Sequence, residues 1–328
     1  MATDVMLVAT QEWLKNTYGD SIDVPTDGTD RAKTVKGLIK ALQIELDTTA
    51  DGVWGVTTSF NFNTLFQEGL SANTELEDSD KLKRIVYILQ GGFYTVRAIS
   101  PGGLDGEFGD TLTSAVKEFQ SQVGVQETGI IWAYLMKAIL TTDVYTKDDN
   151  YGDDSIVTIQ KQLNKKYCNI LGIIPTNGVY SKATNKGLIA ALQYELGLPA
   201  DGVWGTQTMS ALPTLQRYGN ISNKQIVYIL QYALYINGFD PNGFDGGFGA
   251  GVQSAVKKFQ SFVGLSSDGV CGKQTWASLL VSYGDKNRTA TACDCVSEIT
   301  SARAQTLKKS RIYNSWKIFN QCRTCDLK

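Results

Sequence analysis

A chain of 328 residues is long enough for about two domains, or for several smaller units if it repeats. Its 31 basic and 33 acidic residues leave a net charge of −2, which argues against nucleic acid or an anionic membrane as partner, since both recruit a basic surface. The absence of any histidine removes the base of Ser-His-Asp and Cys-His nucleophile systems and every His-containing zinc site, leaving carboxylate pairs as the chemistry still open in principle.

The N-terminal stretch MATDVMLVATQEWLK enters helical periodicity at once. No basic segment precedes its short apolar patch, so no secretory signal peptide is expected. No apolar run approaches the roughly 18 to 20 residues of a membrane span. From there the chain repeats in the order A-B-A′-B′. KGLIKALQIELDTTADGVWG (36–55) aligns without a gap with KGLIAALQYELGLPADGVWG (186–205), and VPTDGTDRAKT (24–34) with IPTNGVYSKAT (174–184). The interleaved pair is IVYILQGGFYTVRAISPGGLDGEFG (85–109) with IVYILQYALYINGFDPNGFDGGFG (226–249), continuing as SAVKEFQSQVGV (114–125) with SAVKKFQSFVGL (254–265). Four units follow: 1–72, 73–146, 147–219 and 220–286, with 287–328 as a separate tail.

Each unit reads as a helix, an Asp-Gly or Asn-Gly turn with an aromatic, a second helix, a second turn and a short third helix. Gly supplies positive φ in such turns, and Asp or Asn stabilises them. Thr58, Thr184, Thr208 and Thr275, three residues past the turns, stand where helix N-caps are expected; Leu112 and Val252 replace them in units 2 and 4. Unit 1 has Asp30 where unit 3 has Tyr180. In unit 2, QETGIIWAYLMK (126–137) reads as about four residues shorter than SSDGVCGKQTWASLL (266–280), which predicts an abrupt third helix and a degenerate module. No alternating-polarity strand is visible, so the fold class is all-α, as tandem three-helix modules with a short irregular C-terminal tail.

The pattern DG-x-[FWY]-G-x-x-T, then A-V-x-x-F-Q, then DG-x-x-G-x-x-T-W-x-x-L resembles the three-helix peptidoglycan-binding domain. Its fullest copy is FDGGFGAGVQSAVKKFQSFVGLSSDGVCGKQTWASLL (244–280). The resemblance covers about 280 residues across the repeats. It implies non-catalytic binding of murein by bacterial, Gram-positive wall modules. In the tail, NRTATACDCVSEITSARAQTLKKS (287–310) resembles the opening of a lysozyme-like glycoside-hydrolase barrel, and Asp294 matches that family's early active-site Asp. The sequence ends well short of the roughly 200 residues a β/α barrel needs, so a remnant of a truncated or frame-disrupted domain is expected.

The candidate ligand-binding residues are Asp51, Trp54, Tyr180, Asp201, Trp204, Asp245 and Phe248, all in or beside the turns. Trp54 and Trp204 could stack on sugars, but packing behind a glycine turn is the favoured reading. Asp51 and Asp201 could accept hydrogen bonds from a ligand, and turn stabilisation is favoured there too. Tyr180 and Phe248 would wall a groove. Asp105 and Asp245 stand in DGxFG turns, so neither is singled out as a catalytic acid. Cys168 and Cys271 are isolated, whereas CDC (293–295) and CRTC (322–325) bring four thiols into two pairs. CxC is tighter than usual zinc spacing, so reduced thiols are favoured and no metal, cofactor or catalytic residue is assigned.

The expected function is attachment to peptidoglycan, through glycan strand or stem peptide, at the cell wall or outside the cell by a route not visible in the sequence, or in the cytoplasm until lysis. The rivals are a truncated peptidoglycan hydrolase, or its targeting half, and a protein-interaction scaffold. Neither nucleic acid nor a membrane span is expected, and the oligomeric state is not legible.

Overall fold

The computed structural model describes residues 4–280 apart from 98, 143, 145 and 147–151. The fold is all-α: twelve α-helices are present among the described residues, with only isolated β-bridges between them. The expected tail at 287–328, including Asp294 and both cysteine pairs, lies outside the described residues.

The described residues fall into two compact units. The first lies within Met1–Thr146 and Asn164–Thr176, the second within Lys147–Leu163 and Asn177–Lys328. Unit 1 holds α1 (Val5–Tyr18), α2 (Arg31–Glu45), α3 (Val56–Leu65), α4 (Ser79–Gly92), α5 (Asp110–Val123) and α6 (Ala133–Leu140). α2 packs on α1 and α4, and α6 on α3 and α4. Their inner faces carry Leu14, Leu38, Leu42, Phe62, Ile85, Leu89, Phe119 and Ile139 in one apolar core. Unit 2 holds the first part of α7 (Asp154–Leu171), with α8 (Lys182–Glu195), α9 (Thr206–Ala211), α10 (Lys224–Ile236), α11 (Ala250–Val263) and α12 (Lys273–Leu280). There α10 packs against α8, α11 and α12 around Leu188, Leu192, Leu230, Val256, Phe259 and Trp276.

Local chemistry sets the helix ends. Asp4, Asp78 and Ser181 accept backbone N–H groups three residues on, as N-caps of α1, α4 and α8. Gly124 and Gly264 end α5 and α11 in the left-handed conformation. In each unit a two-residue antiparallel bridge ties the segment after the third helix to a later turn. Leu70 and Ile131 exchange both N–H···O bonds at 2.9 and 2.8 Å, as do Leu215 and Cys271 at 3.0 and 2.8 Å.

Two sequence expectations need correction. The threonines are not N-caps: α3, α8 and α9 are capped by Gly55, Ser181 and Gly205, which places Thr58, Thr184 and Thr208 two residues inside the helix, where they are buried. Thr275 is likewise inside α12 and buried. Their hydroxyls turn inward, each accepting from the side-chain amide of a buried glutamine. The shortened third helix of residues 126–137 is also absent. Ile131 and Cys271 occupy the same bridge position, and α6 and α12 both begin two residues later and run for eight residues. The segments superpose in register without a deletion; weak side-chain identity had imitated a gap.

Candidate ligand-binding site

A single polar device recurs at eight of the glycine turns. Gln11, Gln43, Gln90, Gln120, Gln160, Gln193, Gln231 and Gln260 are all buried, although glutamine is ordinarily a surface residue. In each, Oε1 accepts the N–H of the turn glycine at 2.8 to 2.9 Å: Gly28, Gly52, Gly106, Gly129, Gly178, Gly202, Gly246 and Gly269 in turn. Each Nε2 donates to the carbonyl of the residue after that glycine. A buried amide thus satisfies one backbone donor and one backbone acceptor that the sharp turn leaves inside the protein.

The turn residue before the glycine completes the device. Asp27, Asp51, Asp105, Thr128, Asn177, Asp201, Asp245 and Asp268 each accept the N–H two residues on through a side-chain oxygen. At Asp51, Asp105, Asp201, Asp245 and Asp268 the same Oδ1 also takes the glutamine Nε2, at 2.7 to 2.9 Å. The inward threonines finish the network: Thr34, Thr58, Thr184, Thr208 and Thr275 offer Oγ1 to the same Nε2. Leu112 and Val252 take that place in α5 and α11, where burial is apolar instead.

These bonds set the electrostatics. The Val53 N–H and then the Gln43 amide hold the Asp51 carboxyl below its ordinary range. The order reverses at Asp105 and Asp245, where Gln90 and Gln231 contribute most, followed by the N–H groups of Glu107 and Gly247. Asp268 is lowered by the Val270 N–H and then by Gln260. Lysines add a weaker pull, Lys36 on Asp51 and Lys257 on Asp268. All four carboxyls are stabilised as anions, the opposite of a general acid held protonated.

The candidate residues therefore divide. Asp51, Asp201 and Asp245 are exposed, with Oδ1 committed to the turn and no hydrogen bond to Oδ2 from the described residues. Trp54, Trp204, Tyr180 and Phe248 are 8, 7, 8 and 8 % exposed, so their rings lie behind the turns. Trp54 Nε1 donates to Ser59 Oγ at 2.8 Å, and Tyr180 Oη donates to Asn185 Oδ1 at 2.6 Å. Pattern reading missed the glutamines. Their signal was present: Gln43, Gln120, Gln193 and Gln260 each lie nine residues before their glycine.

Other groups are structural in character. Glu45 is buried in unit 1, where Arg84 holds both its carboxylate oxygens at 2.8 and 3.0 Å and Tyr18 Oη donates at 2.8 Å. Burial, and then the Glu45 carboxylate, raise the Tyr18 phenol far above its ordinary range. Burial pushes the Cys271 thiol well up, so that it behaves as a core residue and not as a nucleophile. Among the described residues no cluster of metal-ligating side chains forms. No helix there is long and apolar enough to cross a membrane.

With this geometry established, comparison with known proteins gives two family matches. Residues 86–131 match the putative peptidoglycan binding domain, and residues 150–280 match the FadG/YbfG, PGDB-like domain. The chain is 40% identical over 318 residues to YbfG of Bacillus subtilis (strain 168), covering 94% of this chain and 42% of that protein. It is 38% identical over 318 residues to FadG of the same organism, covering 94% and 53%. The chain thus spans about half the length of these relatives. A probable N-acetylmuramoyl-L-alanine amidase of Bacillus licheniformis is 29% identical over 155 residues, 44% of this chain and 40% of the amidase. No solved structure matches the chain.

Proposed function

We propose that the chain attaches to bacterial peptidoglycan without cleaving it, through four modules at 1–72, 73–146, 147–219 and 220–286. The observation that carries this reading is the shared turn device. The matched peptidoglycan-binding segment, 86–131, holds two of the eight clamps, Gln90 with Gly106 and Gln120 with Gly129. The other six clamps repeat their bonding outside that segment. One local architecture repeated along the chain supports one kind of ligand along it. Repetition suits a polymeric wall, because a second site tethered near the first raises avidity by about 10² to 10⁴ over a single site.

In this reading the free Oδ2 atoms of Asp51, Asp201 and Asp245 face the ligand. Trp54, Tyr180, Trp204 and Phe248 act from behind, holding the turns in place. The place of action is the cell wall.

A hydrolytic role has one specific support, the partial similarity to amidases. Against it stand the complete lack of histidine and turn carboxyls tied into the fold as anions. The test incubates the purified chain with insoluble peptidoglycan and assays the supernatant for new reducing ends and new amino termini. Neither product is expected. Either one, in proportion to added protein, would establish an enzyme.

A further inference from the structure

Tyr218 is a backbone outlier among the described residues. Four non-glycine residues have positive φ among the described residues: Asp30, Asp47, Asn242 and Tyr218. Three are short Asp or Asn side chains, which tolerate the left-handed region; a bulky tyrosine does not. Tyr218, at φ 63°, is the third residue of the turn Gln216–Gly219, closed by the Gly219 N–H donating to the Gln216 carbonyl at 3.1 Å. Gly or Asn is the usual occupant of that position.

No apolar packing offsets this cost. The side chain is 90 % exposed, so no packing compensates the strain. The turn that follows the bridge in unit 1 does not share the conformation. In unit 1 the turn at the same distance from its bridge is Ser71–Thr74, closed by the Thr74 N–H to the Ser71 carbonyl at 3.1 Å, and its third residue, Asn73, is not left-handed. What Tyr218 does have is a cation. The Arg217 guanidinium lies 4.7 Å from the ring centroid and takes part in no ion pair of the described residues. Strain held at an exposed position, with only one surface cation–π contact set against it, is characteristic of binding sites.

We infer that Tyr218 and Arg217 form a contact site for a pyranose ring that bears a negatively charged substituent. The open face of the phenol, electron-rich at its centre, receives the C–H face of the sugar. The guanidinium, already seated over the ring, is placed to bind a carboxylate on that sugar or on its peptide branch, and its planar fork suits bidentate pairing. The inference rests on the peptidoglycan reading above and selects the glycan strand near its peptide branch over the peptide alone.

The test compares the full chain with Tyr218→Asn, Tyr218→Phe and Arg217→Lys, measuring thermal midpoint and affinity for insoluble peptidoglycan. Tyr218→Asn is expected to raise the midpoint by roughly 2 to 4 °C as strain is released, while weakening affinity about tenfold. Tyr218→Phe keeps affinity, because the ring face remains. Arg217→Lys, which loses the planar fork, gives an intermediate loss. Unchanged affinity in Tyr218→Asn, with the wild type still binding, overturns this site alone. A wild type that does not bind overturns the peptidoglycan reading and this site with it. A second measurement follows the Tyr218 ring resonances while adding muramyl disaccharide carrying its peptide, or the free peptide. A shift with the first only is expected; a shift with free peptide alone overturns the assignment.

Discussion

Gln43 Oε1 accepts the Gly52 N–H at 2.8 Å, and 150 residues later Gln193 Oε1 accepts the Gly202 N–H at the same distance. The identical hexapeptides at 50–55 and 200–205 are thus the outer halves of two identical joints, each closed from inside by an amide on the preceding helix. Removing that amide strands a buried N–H and leaves a turn carbonyl without its partner. Gln193→Ala is expected to cost about 2 to 4 kcal/mol in urea denaturation. Asp201→Asn preserves both bonds accepted by Oδ1 and is expected to cost less than about 1 kcal/mol, as Asn177 already fills the same seat.

The two glycines of one hexapeptide should respond very differently to alanine. Gly202 has φ 68°, and a Cβ there would lie 2.4 Å from Lys186 Cγ and 2.8 Å from the Lys186 carbonyl oxygen. Gly205 is extended, with nothing within 4 Å of an added Cβ. Gly202→Ala is expected to lose about 2 to 4 kcal/mol, from the left-handed penalty and the clash combined. Gly205→Ala stays within about 0.5 kcal/mol. Equal effects in denaturant titrations would contradict the joint as described.

Acid should weaken the fold through the turn carboxyls. Asp51, Asp105, Asp245 and Asp268 have folded-state values below the ordinary one, so their contribution is complete above the unfolded value near 4 and is lost as pH falls through the folded values. Thermal midpoints are expected to hold from neutrality to about pH 5 and to decline below about pH 4. A chain with Asn at all four positions should show a shallower decline in the same titration.

Much of this organisation is legible in the sequence, and the gaps have physical causes. Glycine and Asx residues mark turns because local φ and side-chain geometry demand them, so the turn at Asp51 and Gly52 announces itself. The clamp announces itself only in part: four copies keep a nine-residue spacing, but in the others the two ends are joined by variable loops. Gln90 and Gly106 are 16 residues apart, Gln160 and Gly178 are 18, and Gln231 and Gly246 are 15. The threonines were misread for a related reason. Thr208 lies within a turn of the helix start, where a capping hydroxyl is common, but a buried amide competes for the same oxygen. Tyr218 was hidden because φ at a single loop residue has no signature beyond the absence of glycine.

The ion pair in unit 1 was equally invisible, since Arg84 and Glu45 lie 39 residues apart. Its removal gives a further prediction. Arg84→Ala leaves a buried carboxylate with only the Tyr18 hydroxyl and is expected to cost about 3 kcal/mol. Arg84→Lys, which loses the bidentate geometry but keeps the charge, should recover part of it. Denaturation of both variants beside the wild type checks the ordering.

The most direct test of the central claim is co-sedimentation of the intact chain with purified Gram-positive peptidoglycan, with cellulose as the control polymer. Attachment to the wall predicts that most of the protein pellets with peptidoglycan, saturably, and remains in the supernatant with cellulose. Protein that stays in the supernatant with both polymers would contradict it.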